Sequence, residues 1–562
     1  MSRERSMTAA AKGAAKPTYL DLFWRWTERQ PDQPFVTQKF GDEWHTMSWG
    51  EAGAQVRRMT SALIALLGQN TGERIVILGR NSLHWYLADL AGQSAGHIVA
   101  GVLTTSLPEQ VTHCFDLTGA KLLFLGPSEN WEAVRGCVPD DVRIIAMPGV
   151  TEPRAFTTWD ELLASHESFV GTPAPPLDEP RIIIFTSGTT GLPKGVVHSL
   201  RSGTAVISPF VECDELAGKR FINYLPMGHG AERVVIGYQM ISNGGQTVIS
   251  NGARTFAEDM KLAKVDWFLA PPRLWLAYQK MAVAALGGEE AANRLVENPV
   301  TAPQAGAAFK ELLSLHDARF LANSTAPLPL SIHQWFDKAG VVVCDIYGQS
   351  ESTPVTLNTP SENRIGTVGK AAFGSEVKLS PEGEILVRTP GRMLGYYNMP
   401  EKTAQTIVDG WVHTGDRATV DADGFYCIVG RVCEEFKTAK GKYVAPVPIE
   451  NAISENELVE QQMLCGRGLA QTVLLIVLSA VARQRGREEI EQNLRAAVER
   501  INAKQEKHAR VALIVICGDR WTLENRLLNP VGKMLRDPIE KKYADLAAQV
   551  EENPHELRVL WE

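Results

Sequence analysis

Ten consecutive residues decide the fold of this chain: Thr186-Ser187-Gly188-Thr189-Thr190-Gly191-Leu192-Pro193-Lys194-Gly195. They follow the apolar residues 182–185, Ile-Ile-Ile-Phe, which predict a buried strand. Glycines let a backbone approach an anion closely, and N–H groups, hydroxyls and an ammonium can then surround it. The stretch therefore predicts a polyphosphate-binding loop, although a surface turn rich in Ser, Thr and Gly has a similar composition. It is not a Walker loop, because the G-x-x-x-x-G-K-[ST] spacing is absent from the sequence.

Further motifs follow downstream in a fixed order. They are Asp345-Ile346-Tyr347-Gly348-Gln349-Ser350-Glu351, Gly395-Tyr396-Tyr397, Asp409-Gly410-Trp411-Val412-His413-Thr414-Gly415-Asp416, Asp423-Gly424-Phe425, Gly430-Arg431 and Pro530-Val531-Gly532-Lys533. Together with the first loop, the set resembles the signature of the adenylate-forming superfamily. That superfamily includes acyl- and aryl-CoA synthetases, peptide-synthetase adenylation domains and firefly-type luciferases. The resemblance covers nearly the whole chain.

Length and composition agree with this resemblance. A chain of 562 residues is too long for one core, so two or more domains are expected. The 57 basic and 65 acidic residues give a net charge of −8, which predicts no nucleic-acid-binding face. The eight cysteines form no Cys-x-x-Cys pair, so we expect neither a zinc site nor disulfides but a reduced, cytoplasmic protein. No apolar run approaches the roughly 20 residues of a transmembrane helix.

Strand-like runs alternate with amphipathic stretches, which predicts an α/β fold with parallel sheets. The predicted strands are 74–78, 121–125, 181–185, 246–249, 267–269 and 341–344. Ser48 and Glu51 form a capping box that opens a helix, whereas residues 284–308 resemble a loop or a loose helix. Residues 1–17 are expected to be a flexible tail, with a transit peptide as the alternative. The resemblance implies a large domain of layered sheets and helices at 18–431 and a small mobile α+β domain at 432–562.

The resemblance implies a reaction in two halves. A carboxylate attacks the α-phosphate of ATP, giving an acyl-adenylate and pyrophosphate, and a thiol, usually that of CoA, then displaces AMP. The first loop is expected to hold the β- and γ-phosphates through Thr186, Ser187, Gly188, Thr189, Thr190, Gly191 and Lys194. Glu351 is the expected Mg²⁺ ligand, and Ser350 keeps a hydroxyl for the α-phosphate.

Lys533 is the expected catalytic cation, brought in by the small domain to the oxygen that bridges the carboxylate and the α-phosphate. The loss of one such donor costs about 3–4 kcal/mol of transition-state stabilisation. The second half-reaction requires this lysine to leave, which the family achieves by rotating the small domain about a hinge just after Gly430-Arg431. Arg431 is expected near the ribose or the phosphates, with a surface salt bridge as the alternative.

The remaining nucleotide and thiol contacts each have a structural alternative. Tyr347, beside Gly348, is expected to stack on adenine, or else to be a core tyrosine at a strand end. Asp416 is expected to accept hydrogen bonds from the ribose hydroxyls, or else to be an ordinary turn aspartate. Gly441 matches the glycine along which pantetheine passes, or else is a turn glycine.

Other strings point to a fatty acid as the substrate. Residues 224–233, Tyr-Leu-Pro-Met-Gly-His-Gly-Ala-Glu-Arg, resemble the Leu-Pro-x-x-His-x-x-Glu-Arg string of long-chain acyl-CoA synthetases. Residues 271–275 and 443–450 also resemble that branch, including its bubblegum-type members. His229 is then expected to line the acyl or thiol entrance, with a satisfied core histidine as the alternative.

Two departures from the family pattern modify these expectations. Residues 323–328, Asn-Ser-Thr-Ala-Pro-Leu, replace the family's Ser-Gly-Gly/Ala-Ala-Pro-Leu, so Ser324, Thr325 and Ala326 are expected to narrow the acyl pocket and to favour a shorter, bent or cyclic acid. Cys433 occupies the hinge position, where the family usually has Asp or Lys. We hypothesise that this neutral residue alters the balance between the two domain poses.

The sequence therefore predicts a fatty acid–CoA ligase that uses ATP, Mg²⁺ and CoA. Two alternatives stay open. An aryl or hydroxy acid could be adenylated for another acceptor, either a carrier protein or its own hydroxyl in lactone closure. A catalytically silent acyl- or nucleotide-binding regulator is the alternative from another class, although it would not need Glu351, Asp416 and Lys533 together.

Overall fold

The computed structural model describes residues 16–187, 192–432, 434–529 and 532–562. The predictions made for the tail before residue 16, for Gly188, Thr189, Thr190 and Gly191, and for Cys433 lie outside these residues.

The large domain alternates strands and helices along the chain, as the sequence predicts. Its strands are β1 (Pro34–Phe40), β2 (Glu43–Ser48), β3 (Arg74–Leu78), β4 (Ile98–Val102), β5 (Leu122–Leu125), β6 (Arg143–Ala146), β7 (Ala155–Thr158), β8 (Pro180–Ser187), β9 (Pro193–Ser199), β10 (Arg220–Asn223), β11 (Gln246–Ile249), β12 (Trp267–Ala270), β13 (Phe320–Asn323), β14 (Val343–Gln349), β15 (Ser352–Leu357), β16 (Lys370–Ala371), β17 (Glu376–Leu379), β18 (Glu384–Arg388), β19 (Gly395–Tyr396), β20 (Ile407–Val408), β21 (Trp411–Val420) and β22 (Tyr426–Arg431). Its helices are α1 (Tyr19–Arg29), α2 (Trp49–Leu67), α3 (Leu83–Ser94), α4 (Pro108–Thr118), α5 (Trp131–Val134), α6 (Trp159–Ser165), α7 (Leu200–Glu212), a π-helix (Ala231–Tyr238), α8 (Gln239–Ser242), α9 (Phe256–Ala263), α10 (Pro272–Ala285), α11 (Glu289–Glu297), α12 (Ala302–Leu312), α13 (Leu330–Lys338) and α14 (Pro400–Thr406).

The main sheet of the large domain has the strand order β19-β9-β8-β4-β3-β5-β6-β7. Strands β8, β4, β3, β5, β6 and β7 run parallel, and β9 returns antiparallel to β8. Ile182 and Ile184 pack into one hydrophobic core, and Ile183 and Phe185 into another. A strand buried on both faces reads as an unbroken apolar run, which is why β8 is visible in the sequence.

Three further sheets complete the large domain. Their strand orders are β10-β11-β1-β2, β12-β13-β14-β15-β16 and β17-β18-β21-β20, with β22 paired to β21. In the second sheet, β12, β13 and β14 are parallel, so their carboxyl ends meet at one edge. Residues 324–326 follow β13, and residues 347–351 form the end of β14 and the turn after it, so both segments lie at that edge.

The small domain forms around one mixed sheet. Its strands are β23 (Phe436–Lys437), β24 (Tyr443–Val444), β25 (Val459–Cys465), β26 (Thr472–Leu478), β27 (Val511–Cys517) and β28 (Arg558–Trp561), and its helices are α15 (Val447–Ser454), α16 (Arg487–Asn502), α17 (Arg536–Lys542) and α18 (Ala544–Ala548). Strands β25 to β28 pair in sequence order and form the mixed sheet, whereas β23 and β24 form a separate two-stranded sheet. Side chains of β26 alternate between two cores, with Leu474 and Ile476 facing α15 and α16, and Val473 and Leu475 facing α17 and α18. Because helices cover both faces of the sheet, β26 is apolar along its length, which explains the run at residues 473–478.

Most predicted elements occur where the sequence places them. The capping box at the start of α2 forms, since Ser48 Oγ accepts from Glu51 N at 3.3 Å and Glu51 Oε2 accepts from Ser48 N at 2.8 Å. The loop or loose helix predicted for residues 284–308 is instead the end of α10, all of α11 and most of α12. Ala292 and Val296 of α11 are buried four residues apart, so tertiary packing adds to the high helix propensity of Ala and Glu.

Candidate active site

The phosphate loop is the tip of a hairpin. Strands β8 and β9 pair antiparallel, with Thr186 opposite Lys194 and Ser187 opposite Pro193. The hairpin therefore places Thr186 and Lys194 opposite each other, close to its tip. The tip, residues 188–191, is outside the described residues, so its anion contacts remain predictions.

A tyrosine connects this hairpin to the predicted metal ligand. The Lys194 Nζ lies 5.3 Å from the centroid of the Tyr396 ring, and the Tyr396 hydroxyl donates to Glu351 Oε1 at 2.6 Å. Burial, followed by the charge of Glu351, raises the pKa of Tyr396. Tyr396 reaches this place because β19 pairs with β9 on the edge of the main sheet. The motif containing Tyr396 was visible in the sequence, but its contact with Glu351 was not predicted.

Ser350 and Glu351 lie in the turn between β14 and β15. The Ser350 carbonyl accepts from His198 Nε2 at 2.8 Å. Burial lowers the pKa of His198 to about 4, so the imidazole is neutral at pH 7 and carries its proton on Nε2. A Cβ atom on Gly230 would lie 3.8 Å from the Ser350 Oγ, which places the His229-Gly230 loop against this turn. His198 is thus a supporting residue that no sequence motif indicated.

Asp416 is buried and accepts from three side chains. Its Oδ2 accepts from the Tyr347 hydroxyl at 2.6 Å and from Gln349 Nε2 at 2.5 Å, and its Oδ1 pairs with Arg431 Nε at 3.0 Å. The pairing of β21 with β22 places Asp416 opposite Arg431. A carboxylate offers about four acceptor positions. Contact of Asp416 with a ribose hydroxyl remains a prediction, and Gln349 is a further partner that the sequence did not indicate.

Tyr347 is half-buried at the end of β14, and burial followed by the Asp416 charge raises its pKa. Its hydroxyl is held by Asp416. Gly348 is needed for packing, because a Cβ there would lie 2.7 Å from Thr353 Oγ1 and 3.2 Å from Thr353 Cα. The stacking of adenine on Tyr347 remains a prediction.

Lys533 of the small domain faces this cluster. Its backbone N–H donates to Asn529 Oδ1 at 2.8 Å, which shapes the loop before α17. The side chain keeps access to solvent, yet the protein around it lowers its pKa by desolvation, and Arg431 lowers it further. Asp416, Glu434 and Glu351 act in the opposite direction. The structure thus brings the predicted cation within electrostatic range of both predicted carboxylates.

His229 lies near the same lysine. Burial lowers the pKa of His229 to about 4, and the charge of Lys533 adds to this shift. Nδ1 accepts from Ala231 N at 3.2 Å, so the neutral ring carries its proton on Nε2. Glu232 is fully buried, and burial raises its pKa to about 8. Its Oε2 accepts from Leu225 N at 2.9 Å and thereby holds the loop that carries His229.

The predicted acyl-pocket residues follow β13 at the edge shared with Tyr347. Ser324 Oγ donates to the Ile346 carbonyl at 3.0 Å, which ties this loop to β14. Asn323 Nδ2 donates to Asp345 Oδ1 at 2.5 Å and to the Ala326 carbonyl at 3.0 Å. Thr325 adopts a φ of 77°, which is unfavourable for a β-branched residue. Asn323 therefore supports a strained loop whose side chains replace glycines of the family pattern.

Gly441 lies in the turn between β23 and β24. Its φ is 72°, its N–H donates to the Thr438 carbonyl at 2.8 Å, and a Cβ there would meet no atom within 4 Å. The turn conformation is by itself a sufficient reason for glycine at this position. Contact of Gly441 with pantetheine remains a prediction.

Comparison with known proteins supplies independent information. The model of the AMP-binding enzyme family matches residues 23–397, and that of the AMP-binding enzyme C-terminal domain matches residues 436–553. The long-chain-fatty-acid–CoA ligase FadD15 of Mycobacterium tuberculosis is 27% identical over 479 residues, which cover 78% of this chain and 78% of FadD15. The long-chain-fatty-acid–CoA ligase ACSBG2 of Xenopus laevis is 27% identical over 502 residues, covering 80% and 68%.

Solved structures share the fold. The adenylation domain of a carboxylate reductase from Mycobacterium chelonae superposes with a TM-score of 0.80 at 19% identity, covering 96% of this chain and 92% of that domain. The anthranilate CoA ligase AuaEII, solved with anthranoyl-AMP, gives a TM-score of 0.75 at 20% identity, covering 95% and 98%.

Proposed function

The chain belongs to the AMP-binding enzyme family, and we propose that it activates a fatty acid with ATP and transfers the acyl group from the adenylate to CoA. It is an acid–thiol ligase of the AMP-forming type. The observation that supports the proposal is the chain of contacts between the phosphate hairpin and Glu351: Lys194 Nζ lies 5.3 Å from the Tyr396 ring, and the Tyr396 hydroxyl donates to Glu351 Oε1 at 2.6 Å. We further propose that residues 18–431 and 432–562 are the two moving domains and that the protein acts in the cytoplasm. Among the described residues, no helix has the length and apolar character needed to cross a bilayer.

In the first half-reaction, two anions must approach each other. Lys194 and the hydroxyls of the hairpin bind the β- and γ-phosphates, and the Asp416 carboxylate orients the ribose. The ammonium of Lys533 then opposes the negative charge that develops where the carboxylate attacks the α-phosphate. Ser350 donates to an α-phosphate oxygen, and the neutral His198 fixes the turn from which Ser350 acts.

The residues present are compatible with Mg²⁺. Among the described residues, no group of three or more His, Cys, Asp or Glu side chains could form an all-protein metal site. Glu351 offers one carboxylate, and Mg²⁺ usually takes one or two carboxylates together with phosphate oxygens and water. Glu351 would hold the ion, which neutralises phosphate charge. The Tyr396 hydroxyl donates to Oε1 at 2.6 Å and would orient this carboxylate.

In the second half-reaction, the lysine must leave so that the CoA thiol can reach the adenylate. Rotation of the small domain about the segment near residue 433 provides this movement, with Gly441 on the path of pantetheine. The test is a panel of carboxylic acids, scored by mass spectrometry for acyl-CoA and by pyrophosphate release with and without CoA. Formation of acyl-CoA from a fatty acid is the expected result. CoA-independent lactone, transfer only to a carrier protein, or no turnover with any acid would each contradict the proposal.

Replacing Thr325 with glycine is expected to move the preferred acid toward longer chains. Removing the side chain widens the loop at the end of β13, and relieving the positive φ is expected to raise the free energy of unfolding by about 1 kcal/mol. Thr325→Ala is the matched control, because it removes the β-branch but keeps the strained Cβ. A wild-type profile that already peaks at the longest saturated acids, and that Thr325→Gly leaves unchanged, would rule out a narrowed pocket.

The rate of adenylate formation is expected to fall at a lower alkaline pH than it would if Lys533 had the pKa of an ordinary lysine. Only the protonated Lys533 can stabilise the transition state, and its pKa is lowered from 10.5 by desolvation. Activity is therefore present below this lowered pKa and disappears as the pH rises through it. Initial rates of pyrophosphate release between pH 7 and about 10.5 measure this limb. Lys533→Arg stays charged in this range, so its rate should not decrease at alkaline pH. A decrease that persists in this variant would arise from the titration of another group.

A further inference from the structure

Two adjacent carboxylates follow the predicted hinge and make ion pairs in opposite directions. Glu434 Oε2 lies 3.5 Å from Arg536 Nε, within the small domain. Both carboxylate oxygens of Glu435 lie 2.7 Å from Arg417 Nη1, in the large domain. The Glu435 side chain is 8% exposed and that of Arg417 is 35% exposed, so water screens this pair less than a surface pair.

The Glu434 contact belongs to the unit that carries the catalytic lysine. Arg536 begins α17, three residues after Lys533, and pairs with Glu450 through Nη1 at 2.8 Å and Nη2 at 2.7 Å. Glu450 is itself held by Leu464 N at 2.7 Å. The lysine loop is therefore fastened to the core of the small domain, and Glu434 extends this network to the hinge.

The Glu435 contact reaches the nucleotide side of the boundary. Arg417 is next to Asp416 on β21, whereas Phe436, the residue after Glu435, is 2% exposed in the small-domain core. The Arg417–Glu435 pair therefore joins the strand that carries Asp416 directly to the body that carries Lys533. A change in the orientation of the small domain about residue 433 would displace Glu435, two residues away, from Arg417.

We propose that Arg417 and Glu435 form an ion-pair latch, which holds the small domain in the orientation that brings Lys533 to Glu351 and Asp416. This inference rests on the proposed two-step function and adds two positioning residues to it. The latch favours adenylate formation and must open for thiol transfer, because the lysine and the thiol compete for the same approach. Its loss should therefore affect the two half-reactions in opposite directions, which a general structural defect would not do.

The test separates the half-reactions in the full chain. ATP–pyrophosphate exchange with a fatty acid measures adenylate formation, and mixing chemically prepared acyl-AMP with CoA measures thiol transfer. Arg417→Glu and Glu435→Arg are each expected to slow the exchange about tenfold while thiol transfer is unchanged or faster. The double variant, which restores the pair in reversed order, should recover the exchange to within about threefold of the wild type. Glu435→Gln, which is nearly isosteric and neutral, should also slow the exchange without slowing thiol transfer, and it is less prone to misfold.

The control is an ion pair that stays within the small domain. Arg520 Nη2 lies 2.7 Å from Glu460 Oε1, and Arg520→Glu should leave the ratio of the two half-reactions unchanged. Equal losses in both half-reactions without rescue by the double variant, or an unchanged ratio in Glu435→Gln, would overturn the latch. A wild-type chain that forms neither adenylate nor acyl-CoA would instead refute the proposed function, so the two failures are distinguishable.

Discussion

Lys533→Ala is expected to slow adenylate formation by about 10²–10³-fold while ATP still binds. The expected reason is electrostatic: the charges of Asp416 and Glu351 act on the Lys533 ammonium, which would oppose the repulsion between the incoming carboxylate and the polyphosphate. ATP binding should survive, because Lys194, Asp416 and Arg431 belong to the large domain. ATP–pyrophosphate exchange measures the loss, and isothermal calorimetry measures the affinity for ATP.

Thiol transfer provides the internal comparison for this variant. Chemically prepared acyl-AMP bypasses the first step, so its conversion to acyl-CoA should be nearly normal in Lys533→Ala. Lys504→Ala, which removes an exposed lysine of α16's trailing loop, is the matched control and should leave both rates unchanged. Exchange at the wild-type rate in Lys533→Ala would show that this lysine has no catalytic role.

The sequence predicts best what local patterns encode. Strand β8 appears as an unbroken apolar run because both of its faces are buried. The motif order predicts that Tyr347, Asp416 and Lys533 belong to one site, and this assignment stays a prediction. The structure adds that Tyr347 and Asp416 share a hydrogen bond of 2.6 Å. The resemblance thus assigns residues that are far apart in the chain to one site, but it does not predict the contacts between them.

Contacts that depend on tertiary placement were not predictable. The Tyr396 hydroxyl reaches Glu351 because β19 joins the edge of the main sheet, and the Arg417–Glu435 pair joins strand β21 to the start of the small domain. No periodicity or spacing encodes either contact. Gly441 shows a different limit: its positive φ is a sufficient reason for glycine, so the turn conformation does not decide whether the residue also contacts pantetheine.

The structure gives part of the string at residues 224–233 a structural role. It resembles a substrate-class signature, yet Glu232 and Arg233 are 0% and 1% exposed. Arg233 pairs with Asp89 through Nη2 at 2.5 Å and Nε at 3.1 Å, and donates to the Val99 and Ile183 carbonyls. These two residues stabilise the large domain beneath the site, whereas the charge of Lys533 acts on His229 of the same string.

Asp89→Ala is accordingly expected to lower the free energy of unfolding by about 3–5 kcal/mol. The substitution leaves the guanidinium of Arg233 buried without its countercharge. It also removes the acceptor of the Tyr238 hydroxyl at 2.8 Å and of Gln93 Nε2 at 2.7 Å. Urea denaturation of the full chain, followed by tryptophan fluorescence, measures the effect; Trp85 reports on this network because Arg233 lies 5.2 Å from its ring.

Two further variants show whether burial of an unpaired charge is the cause. Asp178 pairs with Arg201 through Nε at 2.6 Å, but both side chains are more than half exposed, so Asp178→Ala should change the urea midpoint little. Replacing both members of the buried pair, Asp89→Leu with Arg233→Met, should recover much of the loss, since apolar groups of similar volume leave no buried charge. Two outcomes would contradict this account: Asp89→Ala is no more destabilising than Asp178→Ala, or the double replacement is less stable than Asp89→Ala alone. Either result would show that the Asp89–Arg233 ion pair does not stabilise the packing of β4 and β8 against the π-helix.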